Sequence, residues 1–332
     1  KDVKALVEFL NPNAYIDENY FDILPKYKSK FQAYVPIMTG CDNFCTYCCV
    51  PFTKGKELYR SVSSILDEIK TLAKYGCREI TLLGQNVNTY LPHDMESFSD
   101  ANPYTDPFAK LLWEINAIDG IDRITYTSAH PKDMSDEVID AFKLPSVLNY
   151  LHLALQSGDD QVLQRMNRKY TADDYEKIIV KLRQVAPDIA LGTDLIVGFP
   201  GETDEQFQRT YDFYQKIGFD ISYTAMYSPR KGTPAARFRD QIEKSVKKQR
   251  WDAMQQLMED TTLAKNQRYQ DQVVSVLVDN WRDGVCQGNS REMKQVRFPG
   301  SNELVGEIVQ VKVTEPLMWI LKGEMVEENV GK

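Results

Sequence analysis

The sequence lacks the features that mark secreted or membrane proteins. No run approaches the roughly 18 consecutive apolar residues of a membrane span, and no charged segment followed by an apolar stretch resembles a secretory signal. Cysteine is scarce, with six in 332 residues, and two of the six, Cys77 and Cys286, are isolated. This is a poor framework for disulfide bonds. We therefore expect a cytoplasmic protein with reduced thiols and no membrane partner.

A strong excess of one charge is also absent. The 40 basic and 48 acidic residues give a net charge of −8, so the overall composition does not indicate a nucleic-acid partner. The basic residues are nevertheless concentrated in one stretch, residues 230–250. A run of this kind is most often a solvated helix face. The basic residues of the stretch are Arg230, Lys231, Arg237, Arg239, Lys244, Lys247, Lys248 and Arg250.

The other four cysteines lie together in GCDNFCTYCC, residues 40–49. In a reducing compartment, a tight group of this kind is more often metal-binding or catalytic than disulfide-bonded. Structural zinc normally takes four ligands, commonly from two paired sets. The sequence has no second CxxC pair, and the spacing of its three histidines is not that of ligands: His93, His130 and His152. Zinc is therefore disfavoured.

Three thiolates from this group suit an iron–sulfur cluster. Such clusters are held by cysteine thiolates, and the spacing of Cys41, Cys45 and Cys48 supplies three, which leaves one iron open. Cys49 is adjacent to Cys48, so its side chain should diverge, and we expect it to be a packed small residue.

The order of the chain predicts an α/β fold. Six β-rich runs are separated by helical patterns, which is typical of βαβ units with a parallel sheet. Six units are too few for a closed eight-stranded barrel, so we predict an open, partial (β/α)6 barrel. The runs are residues 34–40, 78–84, 122–128, 150–156, 191–199 and 219–227. The helical segments are 61–75, 107–118, 135–143, 172–185 and 203–217.

The sequence also predicts where chemistry is located. Active sites of parallel α/β barrels lie at the carboxyl ends of the strands. The cysteine group directly follows the first predicted strand, and polar or glycine-rich segments follow the next four: LLGQNVN, SAHP, QSG and GFPGE. These segments should meet at one rim of the barrel.

The pattern changes after about residue 241. Residues 243–268 are predicted to form one long polar helix, and four short β-rich runs follow it. Short strands separated by Gly, Asn and Pro predict a small β-barrel distinct from the α/β body. The runs are 273–280, 296–298, 307–316 and 320–326.

Several motifs resemble one family of enzymes. GCDNFCTYCCVPFTKGKE, LLGQNVNTY, LHLALQSGDDQVLQRMNRKYT, DLIVGFPGETDEQF and YSPRKGTPA are similar to the radical S-adenosylmethionine (SAM) methylthiotransferases. The resemblance covers about residues 35–327. LLGQNVNTY is most similar to the branch that modifies N6-isopentenyladenosine in tRNA, the MiaB-type enzymes. The C-terminal barrel resembles the TRAM domain, an OB-like RNA-binding appendage of the family.

The resemblance implies the chemistry. It implies a [4Fe–4S] cluster held by Cys41, Cys45 and Cys48, whose open iron binds SAM. Cleavage of SAM to a 5′-deoxyadenosyl radical then requires an electron donor such as a flavodoxin or ferredoxin. The reaction would add a methylthio group to C2 of isopentenyladenosine next to the tRNA anticodon. The alternatives are threonylcarbamoyladenosine or a ribosomal-protein aspartate as substrate, or a non-catalytic RNA-binding module with a structural metal.

The resemblance also implies contacts to SAM. Tyr47 is expected beside the adenine, and Arg168 is expected to pair with the methionine carboxylate, a suitable role for a bidentate donor. Packing under the loop and an ordinary surface position are the respective alternatives. The full set of expected cofactor-binding residues is Tyr47, Gln156, Ser157, Gly158, Arg168, Asp194, Gly198 and Gly201.

Two features of that set have physical requirements of their own. Gly198 and Gly201 would let the backbone approach the adenosine closely, as glycine does, although a plain turn would also explain them. Asp194 lies in the fifth predicted strand, and an inward carboxylate is costly unless it has a partner.

Three amides, Gln85, Asn86 and Asn88, follow the second predicted strand and are expected to be catalytic or substrate-reading. Amide side chains carry both donors and acceptors, so they can read a base edge without adding charge. The alternative is that they bond to backbone groups of their own loop.

Members of the family carry an N-terminal domain whose three cysteines hold a second [4Fe–4S] cluster. The chain starts at Lys1, without methionine, in what resembles the linker after that domain. The chain is therefore either part of a longer protein or a truncated relative, and the second cluster is expected only in a full-length protein with that domain. The expected order is a linker remnant (1–32), the radical SAM partial barrel (33–242), a connecting helix (243–261), a TRAM-like barrel (262–327) and a tail (328–332).

Cluster binding can be tested by removing single thiols. Anaerobically reconstituted protein should hold about four irons, and replacing Cys41, Cys45 or Cys48 by Ala should abolish SAM cleavage. Cys49→Ala is the matched control and should leave iron content and cleavage nearly unchanged. Loss of the cluster in Cys49→Ala alone would overturn the ligand assignment.

Overall fold

The computed structural model describes residue 21 and residues 27–326 of the 332-residue chain. The predicted linker remnant therefore lies mostly outside the described residues, and the predicted tail lies wholly outside them. The described strands are β1 (Gln32–Pro36), β2 (Met38–Thr39), β3 (Leu58–Tyr59), β4 (Glu79–Leu83), β5 (Arg123–Tyr126), β6 (Tyr150–His152), β7 (Ala190–Val197), β8 (Ile221–Met226), β9 (Val273–Arg282), β10 (Val285–Ser290), β11 (Gln295–Pro299), β12 (Ile308–Pro316) and β13 (Leu321–Met325).

The described helices agree with the predicted segments. Each predicted helix is present, although the segment 135–143 divides into a short helix and a 3-10 turn. The helices are α1 (Val50–Thr53), α2 (Val62–Lys74), α3 (Pro107–Asn116), α4 (Asp136–Asp140), α5 (Asp160–Arg165), α6 (Ala172–Val185), α7 (Asp204–Ile217) and α8 (Lys244–Gln267). None of the helices in the described ranges is long and apolar enough to span a bilayer.

The six main strands form the predicted partial barrel. Strands β1, β4 and β5 make one parallel sheet, and β6, β7 and β8 make a second. Single bridges between Ile124 and Val147 and between Ala129 and Leu153 join the two sheets. All six predicted strands are thereby confirmed. The first predicted run spans both β1 and β2, and β2 pairs with β3 at the start of the cysteine loop.

Local sequence signals explain where the helices begin and end. Thr203 and Gln206 form a reciprocal capping box at the start of α7, as the sequence predicts. Ser61 caps α2 by accepting a hydrogen bond from the Ser64 N–H. Helix α7 ends at Gly218, whose φ of +66° lies in the left-handed region that glycine adopts without strain.

The C-terminal strands close into the predicted small barrel, in the order β10-β11-β13-β12-β9. Strand β10 is absent from the predicted runs because its inward residues, Cys286, Gly288 and Ser290, are small and give no apolar alternation. At Gly288 a Cβ would lie 2.0 Å from the Leu277 carbonyl oxygen, so the neighbouring strand excludes any larger residue. Helix α8 ends at Gln267, which agrees with the predicted helical segment 243–268 and lies beyond residue 261, the boundary given for the connecting helix in the domain order.

The turn after β10 connects the two domains. We call residues Ser290–Lys294 the plug, because they meet the amino ends of the barrel strands. Arg123 Nη2 donates to the Ser290 carbonyl at 2.9 Å. Arg291 Nη2 donates to the carbonyls of Pro145 and Val147, each at 2.7 Å. Lys294 Nζ lies 3.0 Å from the buried Asp220 carboxylate, which precedes β8.

A buried ion pair lies directly above the plug. Arg123 Nε donates to Glu79 Oε2 at 2.6 Å, and the two side chains are 1% and 7% exposed. Gln32 Nε2 donates to the other oxygen of Glu79 at 2.9 Å. The first residues of β1, β4 and β5 are thus linked side by side. Burying two charges is tolerable only with such close pairing.

Replacing Arg123 with Met should destabilise the protein by about 3–5 kcal/mol, because Glu79 would remain as an uncompensated buried charge. Urea unfolding would measure the change in the free energy of unfolding. Arg78→Met is the matched control, since the Arg78–Asp122 pair is substantially exposed and should contribute less than about 1 kcal/mol. Equal losses in both variants would contradict this role for the buried pair.

Candidate active site at the cysteine loop

The cysteine loop is held at its base by backbone contacts. Gly40 has a φ of +84°, and a Cβ there would lie 2.0 Å from the Lys56 carbonyl oxygen, so only glycine fits. The Gly40 N–H donates to Gln85 Oε1 at 2.7 Å. The Cys41 N–H donates to the Gly55 carbonyl at 3.2 Å. The loop after β2 is therefore fixed to the loop after β4, as the expected rim requires.

Each of the three predicted ligand sulfurs receives an N–H hydrogen bond. Such donors stabilise a thiolate more than a thiol. The donors are Asn43 Nδ2 to Cys41 Sγ at 3.6 Å, Arg168 Nη1 to Cys45 Sγ at 3.4 Å, and the Val50 N–H to Cys48 Sγ at 3.4 Å. The donor set is suited to an anionic, sulfur-bridged cluster.

Burial of the sulfurs opposes these hydrogen bonds, because it favours the neutral thiol over the thiolate. It raises the pKa of Cys41 and of Cys48 above the ordinary value for a thiol, and the hydrogen bonds only partly offset it. A bound metal would have to displace the thiol protons, because the thiolate is the ligand. Within the described part of the chain, no three His, Cys, Asp or Glu side chains converge as they do around a single metal ion. The three-cysteine ligand set remains a prediction.

Arg168 connects the loop to the segment after β6. It is 9% exposed, and besides Cys45 it donates from Nε to the Tyr170 hydroxyl at 2.9 Å and from Nη2 to the Ala154 carbonyl at 3.2 Å. The surface position that the sequence left open for Arg168 is thereby excluded. Burial is the largest single influence on the pKa of Arg168 and acts to lower it. The neighbouring Tyr170, Tyr47 and Cys45 together outweigh burial, so the pKa is raised above its usual value.

Tyr47 packs under the loop. Its ring meets the ring of Phe199 edge-on, with centroids 6.5 Å apart, and it contacts the apolar cluster that includes Val162 and Met166. Phe199 belongs to the GFPGE turn after β7. The aromatic residue therefore lies between the cysteine loop and the turn expected to approach the adenosine.

The residues expected after β6 divide into two groups. Gln156 has a φ of +68° and bridges to β7 through its backbone. Ser157 and Gly158 contact helix α7: the Ser157 and Thr210 hydroxyls are 3.1 Å apart, and a Cβ on Gly158 would lie 2.8 Å from Thr210 Cα. Close packing against α7 is thus sufficient to require glycine at 158.

The GFPGE turn packs against the segment before and within α8. Gly198 and Gly201 have φ values of +67° and +77°, and a Cβ on Gly198 would lie 2.1 Å from Lys247 Cγ. The Gly198 N–H donates to Glu202 Oε2 at 2.7 Å, and the same oxygen accepts from Arg250 at 2.7 Å. Burial raises the pKa of Glu202 to about 7, although both donors oppose that shift.

Asp194 has the partner that an inward carboxylate requires. His152 Nε2 lies 2.9 Å from Asp194 Oδ2, and His152 Nδ1 lies 3.4 Å from the Tyr150 hydroxyl. The His152 ring also contacts Tyr223, with ring centroids 5.8 Å apart. Sequence reasoning assigned His152 no role. The signal that identifies it is alternation, which places residues 150 and 152 on one face of β6.

The three amides after β4 are used differently from one another. Gln85 holds Gly40, as described above. Asn88 Nδ2 donates to the His130 carbonyl and Asn88 Oδ1 accepts from the His130 N–H, both at 2.9 Å. Asn86 Nδ2 donates to Asp133 at 3.0 Å, while its Oδ1 is buried without a partner among the described residues. Gln85 and Asn88 therefore support the loops, and among the three amides only Asn86 has a buried atom without a partner in the described part of the chain.

A second histidine that sequence reasoning assigned no role lies nearby. The His130 ring packs edge-on against Tyr170, with centroids 5.5 Å apart. Burial lowers its pKa to about 2, assisted by the positive charges of Arg168 and Lys132. The imidazole is neutral throughout the physiological range.

With this geometry in place, comparison with known proteins is informative. The model of the radical SAM superfamily matches residues 35–214. The chain belongs to this superfamily. Curated relatives include the tRNA-2-methylthio-N(6)-dimethylallyladenosine synthase of Thermoanaerobacter sp. (strain X514), which is 44% identical over 93% of this chain and 65% of its own length. The synthase of the same name from Bacillus cereus (strain B4264) is 42% identical over 98% of this chain and 63% of its own length.

The chain thus spans less than two thirds of the length of these curated relatives. Among solved structures, the radical SAM methyltransferase TsrM from Kitasatospora setae is 17% identical, with a TM-score of 0.49 over 62% of this chain and 36% of that chain. That likeness is too low to bear on function.

Asn88→Ala should lower the free energy of unfolding by about 1–3 kcal/mol, because the His130 N–H and carbonyl would both lose a buried partner. Thermal or urea unfolding would measure this loss. Asn86→Ala is the matched control and should cost less, since one of its two amide atoms has no partner to lose. A stability unchanged in Asn88→Ala would instead favour the substrate-reading role.

Proposed function

We propose that this chain is the catalytic and RNA-binding part of a methylthiotransferase. Its substrate would be N6-isopentenyladenosine, also called N6-dimethylallyladenosine, next to the anticodon of tRNA, and the group would be added at C2. The observation that carries this proposal is the 42% to 44% identity to synthases of that name over more than nine tenths of the chain. The cysteine loop and the polar rim support it.

Three cysteines would hold the radical-generating group. Cys41, Cys45 and Cys48 would hold a [4Fe–4S] cluster with one open iron, and the N–H hydrogen bond to each sulfur would stabilise its thiolate. When bound, the cluster and SAM supply the carbon radical chemistry of the family. The protein's part is to keep the thiolates hydrogen-bonded and to position the cosubstrate.

Two of the residues expected around SAM belong to this loop or touch it, Tyr47 and Arg168. Arg168 is fixed by Tyr170 and Ala154 while it touches Cys45, so its guanidinium is preorganised for a carboxylate beside the open iron. Tyr47 and the turn from Gly198 to Gly201 would flank the adenosine. Gln156, Ser157, Gly158 and Asp194 complete the proposed set, with Ser157 and Gly158 acting through the packing of α7.

The three amides proposed to be catalytic or substrate-reading would have different roles. Gln85 and Asn88 would act indirectly, since both hold backbone at the rim. Asn86 is the one whose free Oδ1 could accept a hydrogen bond after a small movement.

The C-terminal barrel and the basic stretch would bind the tRNA. Of the eight basic residues in 230–250, Arg250 is buried against Glu202, and Lys247 Nζ donates to the Tyr227 carbonyl at 3.1 Å. The other six are exposed and suit phosphate contacts, which are salt-sensitive. A loop nucleotide is cheap to splay out of its stack, so a base beside the anticodon can enter the rim.

The remaining parts of the reaction belong to a longer protein and its partners. We propose the domain order given above, with an N-terminal domain that holds a second [4Fe–4S] cluster and delivers sulfur. A flavodoxin or ferredoxin would supply electrons in the cytoplasm. No observation favours the ribosomal-protein, threonylcarbamoyladenosine or non-catalytic alternatives.

The test uses the full-length protein, reconstituted anaerobically and supplied with SAM and a reductant. tRNA that carries N6-isopentenyladenosine should yield its 2-methylthio derivative, detected by mass spectrometry of the digested nucleosides. tRNA that carries unmodified adenosine or threonylcarbamoyladenosine serves as the control and should yield none. Cys45→Ala should lose all product.

Two outcomes would reject this proposal. Product on threonylcarbamoyladenosine alone would move the chain to another branch of the family. Zinc in place of iron in the protein as isolated, with no SAM cleavage after reconstitution, would leave the non-catalytic module.

A further inference from the structure

Several contacts fix both the backbone and the ring of His130. It follows β5 and caps the 3-10 turn Pro131–Asp133, and its ring Nδ1 accepts a hydrogen bond from the Lys132 N–H at 3.2 Å. Asn88 grips the same residue through both its backbone N–H and its carbonyl. The ring is further fixed by its edge-on contact with Tyr170. Backbone, ring plane and ring rotation are therefore all determined.

These contacts also fix the tautomer. Because Nδ1 accepts a hydrogen bond, the single proton of the neutral ring is on Nε2. Nε2 has no hydrogen-bond partner within the described part of the chain. It is also not among the sealed, unpartnered polar atoms there. The Nε2–H is therefore an oriented donor without a partner there, on a residue that is 6% exposed.

The His130 ring is linked to the cysteine loop by contacts on two sides. Tyr170, which the ring contacts, hydrogen-bonds to Arg168, and Arg168 touches Cys45. On the other side, Lys132 Nζ donates to Asn43 Oδ1 at 3.1 Å. His130 is therefore three contacts from Cys45 on one side and two contacts from Asn43 on the other.

The kind of group that this donor suits follows from its surroundings. An anionic ligand would be served better by the Arg168 or Lys132 cations, which also disfavour a proton on the imidazole. A neutral N–H donor matches a neutral acceptor without creating an unpaired charge. The ring nitrogens of a purine are acceptors of this kind.

We propose that His130 is a specificity-determining residue whose Nε2–H donates to a ring nitrogen of the substrate adenine. This inference rests on the proposed function, because it takes N6-isopentenyladenosine as the base at the rim. In this proposal the SAHP segment reads the base through His130, whereas Asn88 only holds the His130 backbone in position.

Two variants separate the donor from the cap. His130→Asn keeps an acceptor for the Lys132 N–H but removes the group at the Nε2 position. His130→Gln reaches the Nε2 position with an amide N–H. Unfolding midpoints of both variants, compared with wild type, measure the structural part of any loss.

The experiment is a binding cycle that does not depend on turnover. Anticodon stem-loop RNAs carry N6-isopentenyladenosine or its 1-deaza, 3-deaza or 7-deaza analogue, each lacking one ring nitrogen. Fluorescence anisotropy measures the affinity of each RNA for the wild-type chain and for the two variants. Deleting one nitrogen should weaken wild-type binding by about five- to tenfold, the effect of one neutral hydrogen bond.

In His130→Asn that same penalty should vanish, while His130→Gln should restore most of it. A merely structural role would weaken all four RNAs equally and would overturn the inference. So would a deaza penalty that persists unchanged in His130→Asn. Failure of the proposed function has a different signature: the wild-type chain would bind isopentenylated and unmodified stem-loops equally, and the inference would then be rejected with it.

Discussion

Arg123 is the side chain at which the parts of this protein are joined. The partial barrel of six strands is open at the amino ends of its strands. The buried charges at that end require partners, because water does not reach them. Arg123 pairs with Glu79 from the adjacent strand and reaches the Ser290 carbonyl of the plug. The same guanidinium thus connects two strands of one domain to the β-barrel of the other. Together with the contacts of Arg291 and Lys294, this pairing holds the two domains to each other.

Most of the fold could be predicted from local signals. The six apolar runs, the helix caps at Ser61 and Thr203 and the short C-terminal strands all have causes within a few neighbouring residues. The plug could not be predicted, because Arg123 and Ser290 are 167 positions apart and one of the partners is a backbone carbonyl. Strand β10 could not be predicted either, because its small inward residues do not produce an alternation of apolar and polar residues.

The site was predicted by position better than by role. Two of the expected residues, Gln85 and Arg168, do contact the cysteine loop, because carboxyl ends of parallel strands meet at one rim. Gln85, Asn88 and Gly158, however, are each engaged by neighbouring backbone or by a neighbouring helix. A sequence motif preserves supporting residues and ligand-binding residues alike, so their types alone do not separate the two. His130 and Asp194 became interpretable only when their partners were known.

The plug also sets a length scale. It holds the small barrel at the amino ends of the strands, while the cysteine loop lies at their carboxyl ends. Strands β4 and β7 have five and eight residues, and at about 3.3 Å per residue they separate the two ends by roughly 17–26 Å. Under the proposed function, an RNA in contact with both must bridge that fixed separation. The protein would then act as a ruler, which selects a nucleotide by its distance from the helical stem as well as by its chemistry.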